Sequence, residues 1–299
     1  WYRVRLDDGT YHQSRIKGKF RIGGLKSTNP ISVGDRVKLS LEGNDYLINE
    51  ILQRKNYIIR KSVNLSKQVH IIASNIDQAF LIVTLVSPFT STGFIDRFLV
   101  TAEAYQVPTI IVFNKVDLYD EFDREYHDEV VKVYSDAGYE CVEVSALNQQ
   151  NISLLKERMK DNVTLLSGHS GVGKSTLVNA IDPNLDLLTQ QVSDAHQKGM
   201  HTTTFAEMFE LDFGGFIIDT PGIKGLGLVE IEDSELADYF PEMLAFKGQC
   251  KFHNCKHLNE PKCAVKSALD TGEIHLIRYD SYISMLEDDG NQYRESKYH

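Results

Sequence analysis

The sequence has few of the residues that characterise secreted or membrane-bound proteins. Only four cysteines occur in 299 residues, which excludes a scaffold held together by many disulfides. The longest apolar run, at residues 79–86, is far shorter than the roughly 20 residues that a membrane-spanning helix needs. No signal-peptide pattern precedes the first domain, and neither internal repeats nor low-complexity tracts occur. We therefore expect a cytoplasmic protein that does not contact membranes.

Charge is distributed unevenly along the chain. Residues 1–63 carry 13 Lys or Arg and 6 Asp or Glu, a net charge of +7, whereas residues 64–232 carry −13 and residues 233–299 carry −4. The total of −10 argues against nucleic acid as a partner, but the basic first segment favours it. The pattern of predicted strands and helices also changes along the chain. We therefore expect three domains, at residues 1–63, 64–232 and 233–299.

The first domain combines short strands with many turn residues. Alternating apolar residues, as in Tyr2-Val4-Leu6 and Val37-Leu39-Leu41, predict half-buried strands. Several such strands in about 60 residues indicate a small OB-type β-barrel. Basic residues cluster near one predicted hairpin, at Arg15, Lys17, Lys19, Arg21 and Lys26. A solvated charged face would explain the cluster, but its single sign favours contact with an RNA backbone.

The second domain alternates apolar strands with amphipathic helices. We expect strands at residues 79–86, 109–113, 141–144, 163–166, 205–211 and 216–218, and helices at 93–105, 122–137, 152–159 and from Lys174. This alternation predicts an α/β fold with a parallel, doubly wound sheet. Two further helices, at 264–269 and 274–286, make the third domain mainly α-helical.

A phosphate-binding loop is predicted where the strand at 163–166 meets the helix from Lys174. The loop matches the pattern G-x-x-x-x-G-K-[ST] in full, with Gly168, His169, Ser170, Gly171, Val172, Gly173, Lys174 and Ser175, followed by Thr176. Glycines let backbone N–H groups turn toward phosphate oxygens, and the helix N-terminus adds partial positive charge. We expect Lys174 to reach the β and γ phosphates and Ser175 to ligate Mg²⁺. A chance glycine-rich turn is disfavoured by the strand and the helix.

A second motif selects the base. Asn114, Lys115, Val116 and Asp117 follow the strand at 109–113 and match the guanine-specificity motif of GTPases. The Asp117 carboxylate can accept hydrogen bonds from guanine N1–H and the 2-amino group, whereas adenine would leave it desolvated and unpaired. Ser145 and Ala146, followed by Leu147, come after the next strand, as the second base-contacting loop of GTPases does. GTP and GDP are therefore the predicted ligands, and a P-loop ATPase is disfavoured.

Two more segments are expected at the γ-phosphate. Asp219-Thr220-Pro221-Gly222 follows the strand at 216–218, and we expect Asp219 to hold Mg²⁺ through water and the Gly222 N–H to sense the γ-phosphate. One of the threonines in the preceding run, Thr202, Thr203 or Thr204, should contact Mg²⁺ in the GTP state. The alternative is that this run only begins a strand.

The motifs occur in a rotated order, with the guanine motif before the phosphate loop. This order indicates a circular permutation, which is sterically plausible because domain termini commonly lie close together. On these motifs, together with Asp77-Gln78 and residues 199–204, the chain resembles the circularly permuted GTPases. Among them it is similar to the RsgA family of bacterial GTPases that depend on the small ribosomal subunit. The resemblance covers the whole chain: a barrel, a permuted GTPase domain and a zinc-binding C-terminal domain.

The resemblance implies a function in ribosome assembly. It implies binding to the 30S subunit and its rRNA, and GTP hydrolysis that the subunit stimulates during late maturation. We expect a monomer. The alternative is an RNA-binding scaffold that senses GTP without needing turnover, and it would show no stimulation by small subunits.

The group that activates water is not evident from the motifs. In Ras-type enzymes a Gln just after the Asp-x-x-Gly motif positions the attacking water, but here that position is Ile223. His201 is the candidate, since it lies on the predicted first switch and the resemblance implies a catalytic role at this position. An exposed loop histidine without such a role is the alternative.

Three of the four cysteines lie in one short stretch. Cys250, Cys255, His257 and Cys263 supply three thiolates and one imidazole, which suits a closed tetrahedral structural Zn²⁺ site. His253 is an alternative fourth ligand, and the resemblance favours His257. Free buried cysteines would be the explanation without a metal.

Overall fold

The computed structural model describes residues 1–17, 30–43, 45–61, 69–185, 206–219 and 231–287. The chain forms two compact units, Trp1–Ile76 and Asp77–His299. Within the described residues, no helix is both long and apolar enough to cross a membrane. Several predicted functional positions lie outside these residues: Lys19, Arg21, Lys26, His201, Thr202, Thr203, Thr204, Gly222 and Ile223.

The first unit consists of short strands in two sheets. The first sheet has the order β1-β2-β4-β3, and β5 pairs antiparallel with β6 in the second. In the first sheet β1/β2 and β3/β4 are antiparallel, whereas β2/β4 is parallel. The strands are β1 Tyr2–Arg5, β2 Tyr11–Ile16, β3 Val37–Glu42, β4 Asp45–Ile51, β5 Tyr57–Lys61 and β6 Val69–Ser74.

A buried ion pair ties this unit together. Arg54 donates to both carboxylate oxygens of Asp35, from Nε at 2.6 Å and from Nη2 at 2.7 Å. The Ser74 hydroxyl and the Ser32 backbone N–H also donate to Asp35, at 2.7 and 2.9 Å. Burial alone would raise the pKa of Asp35, but the hydrogen bonds from Arg54, Ser32 and Ser74 hold it below its ordinary value. The charged form of Asp35 is therefore the one that the fold stabilises.

The second unit is built on the predicted doubly wound sheet. Its strands are β7 Gln78–Val83, β8 Thr109–Phe113, β9 Glu140–Glu143, β10 Val163–Ser167, β11 Glu207–Glu210 and β12 Phe216–Asp219. The order across the sheet is β11-β12-β10-β7-β8-β9, parallel except for the edge strand β11. The helices between the strands are α1 Thr92–Ala104, α2 Glu121–Asp136, α3 Ile152–Met159 and α4 Lys174–Ile181.

The sheet confirms that the strand order is rotated relative to the chain. The strand before the phosphate loop, β10, lies in the middle of the sheet between β12 and β7. If the strands are counted from β10 and the count continues from β12 to β7, the sheet reads 2-3-1-4-5-6. A sheet with its first strand at the centre is typical of doubly wound nucleotide-binding folds. Circular permutation therefore changes the starting point of the chain and leaves the arrangement of the strands intact.

The C-terminal part of this unit packs against helix α1. Its helices are α5 Pro241–Leu244, α6 Ala264–Asp270 and α7 Leu276–Leu286, preceded by a short 3-10 helix at Leu236–Tyr239. Val100 of α1 joins Phe240, Val265 and Tyr282 in one buried apolar cluster. The described residues from 231 onward are thus mainly helical, and they share a core with helix α1 of the doubly wound part of the chain.

A buried arginine connects the same two parts. Arg278 of α7 is 0% exposed, and its Nη1 donates to Asp96 of α1 at 2.5 Å. Its Nε donates to Glu242 of α5 at 2.6 Å, and its guanidinium carbon lies 4.7 Å from the centroid of the Phe240 ring. Asp96 and Arg278 are 182 residues apart in sequence. A local sequence pattern therefore cannot predict this contact.

Candidate functional site

The predicted nucleotide motifs converge on one edge of the sheet. The phosphate loop follows β10, the motif Asn114–Asp117 follows β8, Ser145-Ala146 comes two residues after β9, and Asp219 ends β12. Because these strands are parallel, their carboxyl ends lie at the same edge. Ligands of open α/β sheets bind at this edge.

The phosphate loop has a backbone that only glycine accommodates. Gly168 has φ +148°, and a Cβ there would lie 2.3 Å from the carbonyl oxygen of Ile82. Gly173 has φ +92°, and its Cβ would lie 2.5 Å from Nδ2 of Asn114. Helix α4 begins directly after Gly173, at Lys174. The loop thus joins a helix N-terminus to a tight backbone turn, an arrangement that presents N–H groups to an anion.

Lys174 folds back over the loop. Its Nζ donates to the carbonyl oxygens of Gly168 at 2.6 Å and His169 at 2.8 Å. Burial lowers the pKa of Lys174, while the negative charge of Asp219 acts in the opposite direction. A half-buried ammonium that donates to backbone carbonyls can exchange them for phosphate oxygens, which as charged acceptors form stronger hydrogen bonds.

Asn114 joins three loops of the site. Its side chain is 1% exposed and donates from Nδ2 to the Val172 carbonyl at 2.9 Å. Its Oδ1 accepts from the Ala146 N–H at 3.2 Å. The first residue of the guanine motif therefore holds the phosphate loop and the Ser145-Ala146 loop in fixed relation.

Lys115 and Asp117 occupy the same edge. Lys115 has φ +66°, and its Nζ donates to the carbonyl oxygens of Ser87 and Gly171 at 2.7 and 2.8 Å. Asp117 follows on the 3-10 helix Val116–Leu118, with its side chain partly exposed. Lys115 thus bridges the loop after β7 to the phosphate loop.

The Ser145 loop is ordered by its own polar groups. The buried Ser145 hydroxyl accepts from the Asn148 N–H at 3.0 Å, and the Ser145 carbonyl accepts from the Gln150 N–H at 3.0 Å. These bonds close a turn that leaves Leu147 76% exposed. Ser175 and Thr176 lie in the first turn of α4, partly exposed and exposed respectively.

Two features of this edge were not predicted from the sequence. The His169 ring lies against Phe94 of α1, with ring centroids 3.6 Å apart, and burial together with the Lys174 charge lowers the pKa of His169. Apolar spacing identified Phe94 only as part of an amphipathic helix. The strand predicted at 79–86 also ends earlier, at Val83, since the Thr84 hydroxyl donates to the Pro88 carbonyl in a turn.

Asp77 and Gln78 lie at the opposite, amino-terminal edge of the sheet. Asp77 Oδ2 accepts from the Val163 N–H at 2.9 Å, and Gln78 Nε2 donates to the Arg158 carbonyl at 2.6 Å. They fasten the starts of β7 and β10 to each other. Because the nucleotide motifs lie at the other end of the strands, Asp77 and Gln78 hold the sheet together and do not contact the described part of the nucleotide site.

The four predicted metal ligands come together in the C-terminal part. The donor atoms of Cys250, Cys255, His257 and Cys263 all lie within 4.8 Å of one another. His257 Nδ1 is 3.3 Å from Cys263 Sγ and 3.6 Å from Cys250 Sγ. His253 is not part of this group. Three sulfur atoms and one nitrogen at such distances can hold one metal ion.

Neighbouring groups fix the cluster in place. The Ala264 and Lys266 N–H groups donate to the sulfurs of Cys250 and Cys263, at 3.3 and 3.4 Å. From α7, the Tyr279 hydroxyl donates to the His257 carbonyl at 2.6 Å. N–H donors to sulfur and a braced histidine are typical surroundings of a thiolate metal site.

Comparison with known proteins gives one consistent answer. The family model described as RsgA GTPase matches residues 51–229. The small ribosomal subunit biogenesis GTPase RsgA of Christiangramia forsetii is 54% identical over 302 residues, covering 100% of this chain and 96% of that protein. The protein of the same name from Bacteroides fragilis strain YCH46 is 53% identical over 290 residues, covering 96% and 93%.

Two solved structures are also similar over nearly the whole chain. YjeQ from Thermotoga maritima is 39% identical, with a TM-score of 0.77 and coverage of 94% of this chain and 90% of that chain. YloQ, described as a circularly permuted GTPase, is 32% identical, with a TM-score of 0.71 and coverage of 98% and 90%.

Proposed function

The chain belongs to the RsgA GTPase family, and from that premise we propose that it hydrolyses GTP as a maturation factor of the small ribosomal subunit. One observation supports this most: the phosphate loop, the guanine motif and the Ser145-Ala146 loop meet through the hydrogen bonds of Asn114. Binding of a nucleotide to any one of these loops would therefore affect the positions of the other two. GTP and GDP are the ligands, and the 30S subunit with its rRNA is the partner.

In the proposed site the phosphate loop cradles the phosphates. Backbone N–H groups of residues 168–173 and the start of α4 face the α and β phosphates, and Lys174 moves from its carbonyl partners to the β and γ phosphates. Asp117 accepts two hydrogen bonds from guanine, and the Lys115 side chain covers the base. Ser145 and Ala146 complete the base pocket, and Ser175 and Thr176 follow the phosphates at the helix start.

Mg²⁺ accompanies the nucleotide in this proposal. The Ser175 hydroxyl and the Asp219 carboxylate would hold the ion, and its positive charge would stabilise the negative charge of the β and γ phosphates. One of Thr202, Thr203 and Thr204 would be a further ligand, and the Gly222 N–H would contact the γ-phosphate. His201 is proposed to orient the attacking water, because Ile223 stands where Ras-type enzymes have a Gln.

We propose a structural Zn²⁺ for the cysteine–histidine cluster. Cys250, Cys255, His257 and Cys263 supply the four ligands that closed zinc sites use. Four protein ligands would leave no position for substrate, so the ion would stabilise the fold around residues 250–263. Removing it with a chelator should lower the melting temperature of the whole protein, and Zn²⁺ should restore it better than Mg²⁺. Unchanged melting after verified metal removal would contradict this role.

The first unit is proposed to be an OB-type barrel that contacts rRNA. Its net positive charge over residues 1–63 supports an electrostatic contact with phosphates. Arg15 stacks on the exposed ring of Trp1 at 4.3 Å, and Arg3 stacks on Tyr11 at 4.3 Å. Exposed aromatic and guanidinium faces are the groups on which single-stranded bases stack. We further propose a cytoplasmic monomer with domains at 1–63, 64–232 and 233–299.

GTP turnover with purified 30S subunits tests the function. The protein should hydrolyse GTP slowly alone and at least about tenfold faster with the subunits, a change of about 1.4 kcal/mol in the barrier. Matched assays with 50S subunits serve as the control. Tight GTP binding with no change in turnover would contradict the proposal and favour the scaffold. His201→Ala should abolish the stimulation while leaving GTP affinity unchanged.

A further inference from the structure

An exposed aromatic cluster lies beside the nucleotide edge. Phe122 is 80% exposed and Phe89 is 58% exposed. The ring of Phe89 lies 6.3 Å from that of Tyr126. Phe122 and Tyr126 are four residues apart on α2 and therefore share one side of the helix. Single exposed apolar side chains are ordinary, but a group of three aromatic rings on one surface is characteristic of an interaction site.

Carboxylates lie on the helix that carries Phe122 and Tyr126. Exposed glutamates follow one another at intervals of one helical turn on α2, at Glu121, Glu125 and Glu129. Tyr126 has a raised pKa, caused mainly by burial and further by the negative charge of Glu129, which places this carboxylate near the ring. We call Phe89, Phe122, Tyr126, Glu125 and Glu129 the acidic aromatic surface.

Nearby cations are engaged within the protein. Arg124 donates to the Val116 carbonyl at 2.8 Å and to Glu143 at 3.2 Å. Lys132, one turn beyond the glutamates, pairs with Asp136 at 2.8 Å. Within the part of the chain that the structure describes, these two cations are therefore not available to Glu125 and Glu129, and their charge is left for a partner to neutralise.

The surface adjoins the proposed guanine pocket without being part of it. The loop that carries Phe89 is held by Lys115, whose Nζ donates to the Ser87 carbonyl at 2.7 Å. Leu118, 53% exposed, directly follows Asp117. A partner bound here would contact the two segments that flank the base, while the phosphate loop stays open to nucleotide.

The chemistry of the surface favours one kind of partner. Nucleic acid carries a phosphate charge at every nucleotide and would be repelled by Glu125 and Glu129. A guanidinium group can stack on an aromatic ring and pair with a carboxylate at the same time. We propose that the acidic aromatic surface binds an arginine-containing basic segment of a partner protein. This goes beyond the proposed GTPase function, since nothing in nucleotide binding uses these five side chains.

Fluorescence anisotropy with a labelled peptide of alternating arginine and glycine tests the proposal on the full chain. Phe122→Ser should weaken binding about tenfold, because the ring that stacks with the guanidinium is lost. The double variant Glu125→Lys/Glu129→Lys should weaken it at least as much. The matched control reverses two exposed carboxylates elsewhere in the same unit, Glu157→Lys/Asp270→Lys, and should change the affinity by less than about threefold. A lysine–glycine peptide of equal charge should bind more weakly than the arginine peptide.

Three results would overturn the proposal. The first is that the wild-type protein fails to bind the arginine peptide at low salt. The second is that Glu125→Lys/Glu129→Lys and its control Glu157→Lys/Asp270→Lys weaken binding equally. The third is that Phe122→Ser weakens binding of a labelled single-stranded RNA and leaves peptide binding unchanged, which would identify the surface as an RNA contact. Thermal unfolding of each variant verifies that it is folded. GTP turnover measured separately distinguishes a failure here from a failure of the proposed GTPase function.

Discussion

The nucleotide edge of the sheet and the junction with the C-terminal helices are held together in opposite ways. At the edge, the charged groups of Lys174 and Lys115 donate to backbone carbonyls. At the junction, Arg278 is fully buried and lies between the carboxylates of Asp96 and Glu242. Carbonyl partners are neutral and can be exchanged for a ligand, whereas a buried charge pair cannot lose one member without a large penalty. The comparison separates side chains that are available to bind from side chains that hold the fold.

The largest expected effect is at the junction. Arg278→Met should lower the free energy of unfolding by about 3–5 kcal/mol, because Asp96 and Glu242 would remain buried without a counter-charge. Urea unfolding followed by circular dichroism measures this. The matched control is Arg158→Met, which breaks the pair with Glu140 in which both side chains are more than 40% exposed; it should cost less than about 1 kcal/mol. Equal losses for the two variants would contradict the distinction.

Lys174→Ala should lower the affinity for GTP and leave the stability of the fold nearly unchanged. Affinity for GTP should fall about 100-fold, since a charge-assisted contact to two phosphates is lost. Stability of the nucleotide-free protein should change by less than about 1 kcal/mol, because the ammonium is partly desolvated and its hydrogen bonds to the Gly168 and His169 carbonyls have neutral acceptors. Isothermal titration and urea unfolding measure the two quantities. A stability loss as large as that of Arg278→Met would show that Lys174 holds the fold.

Asn114→Ala should lower both the stability of the fold and the affinity for GTP. The substitution leaves the Val172 carbonyl and the Ala146 N–H without their partner, so we expect a stability loss of about 1–3 kcal/mol. GTP affinity should fall as well, because two loops of the pocket lose their fixed spacing. Neither quantity should recover in Asn114→Asp, because a buried carboxylate oxygen would then face the Val172 carbonyl oxygen in place of the donor. Loss of affinity without loss of stability would contradict the bridging role.

The smallest effect concerns pH and the first unit. The folded-state pKa of Asp35 is depressed, so its contribution to stability is complete above its unfolded pKa, near 4, and is lost as the pH falls through the folded value. Below about pH 4, the amides in residues 30–61 should therefore exchange faster than the pH dependence of the intrinsic exchange rate alone would give. In Asp35→Asn this acid-dependent part should be absent. An identical acid response in both proteins would exclude Asp35 as its source.

The motifs of the nucleotide edge could be predicted because each is local in sequence. The phosphate loop needs glycines at fixed positions between a strand and a helix, and the structure confirms both the strand and the helix. Asn114 and Asp117 follow a strand whose five residues, Thr109–Phe113, match the predicted bounds. Parallel strands then bring the motifs to one edge, so their proximity follows from the alternation of strands and helices.

The junction could not be predicted, since its contacts join distant parts of the chain. Arg278 stands in a helix whose sequence also contains polar residues such as Asp280 and Ser281, and nothing near it in sequence indicates Asp96 as its partner. The stacking of Phe94 on His169 likewise depends on how α1 lies across the sheet. Hydrophobic spacing identified both helices but could not give their pairing, because periodicity specifies only which face of a helix is buried.

The central claim is that Asp117 makes this edge of the sheet a guanine site. The most direct test changes the base specificity by substituting Asp117. In Asp117→Asn the amide can donate to the C2 carbonyl of xanthine and still accept from its N1–H, whereas it faces a donor on guanine. In the presence of 30S subunits, the wild-type protein should hydrolyse GTP and not xanthosine triphosphate, and the variant should prefer xanthosine triphosphate at least about 100-fold more than the wild-type protein does. Unchanged preference for GTP in the variant would show that Asp117 does not read the base, and would contradict the assignment of this edge as the guanine site.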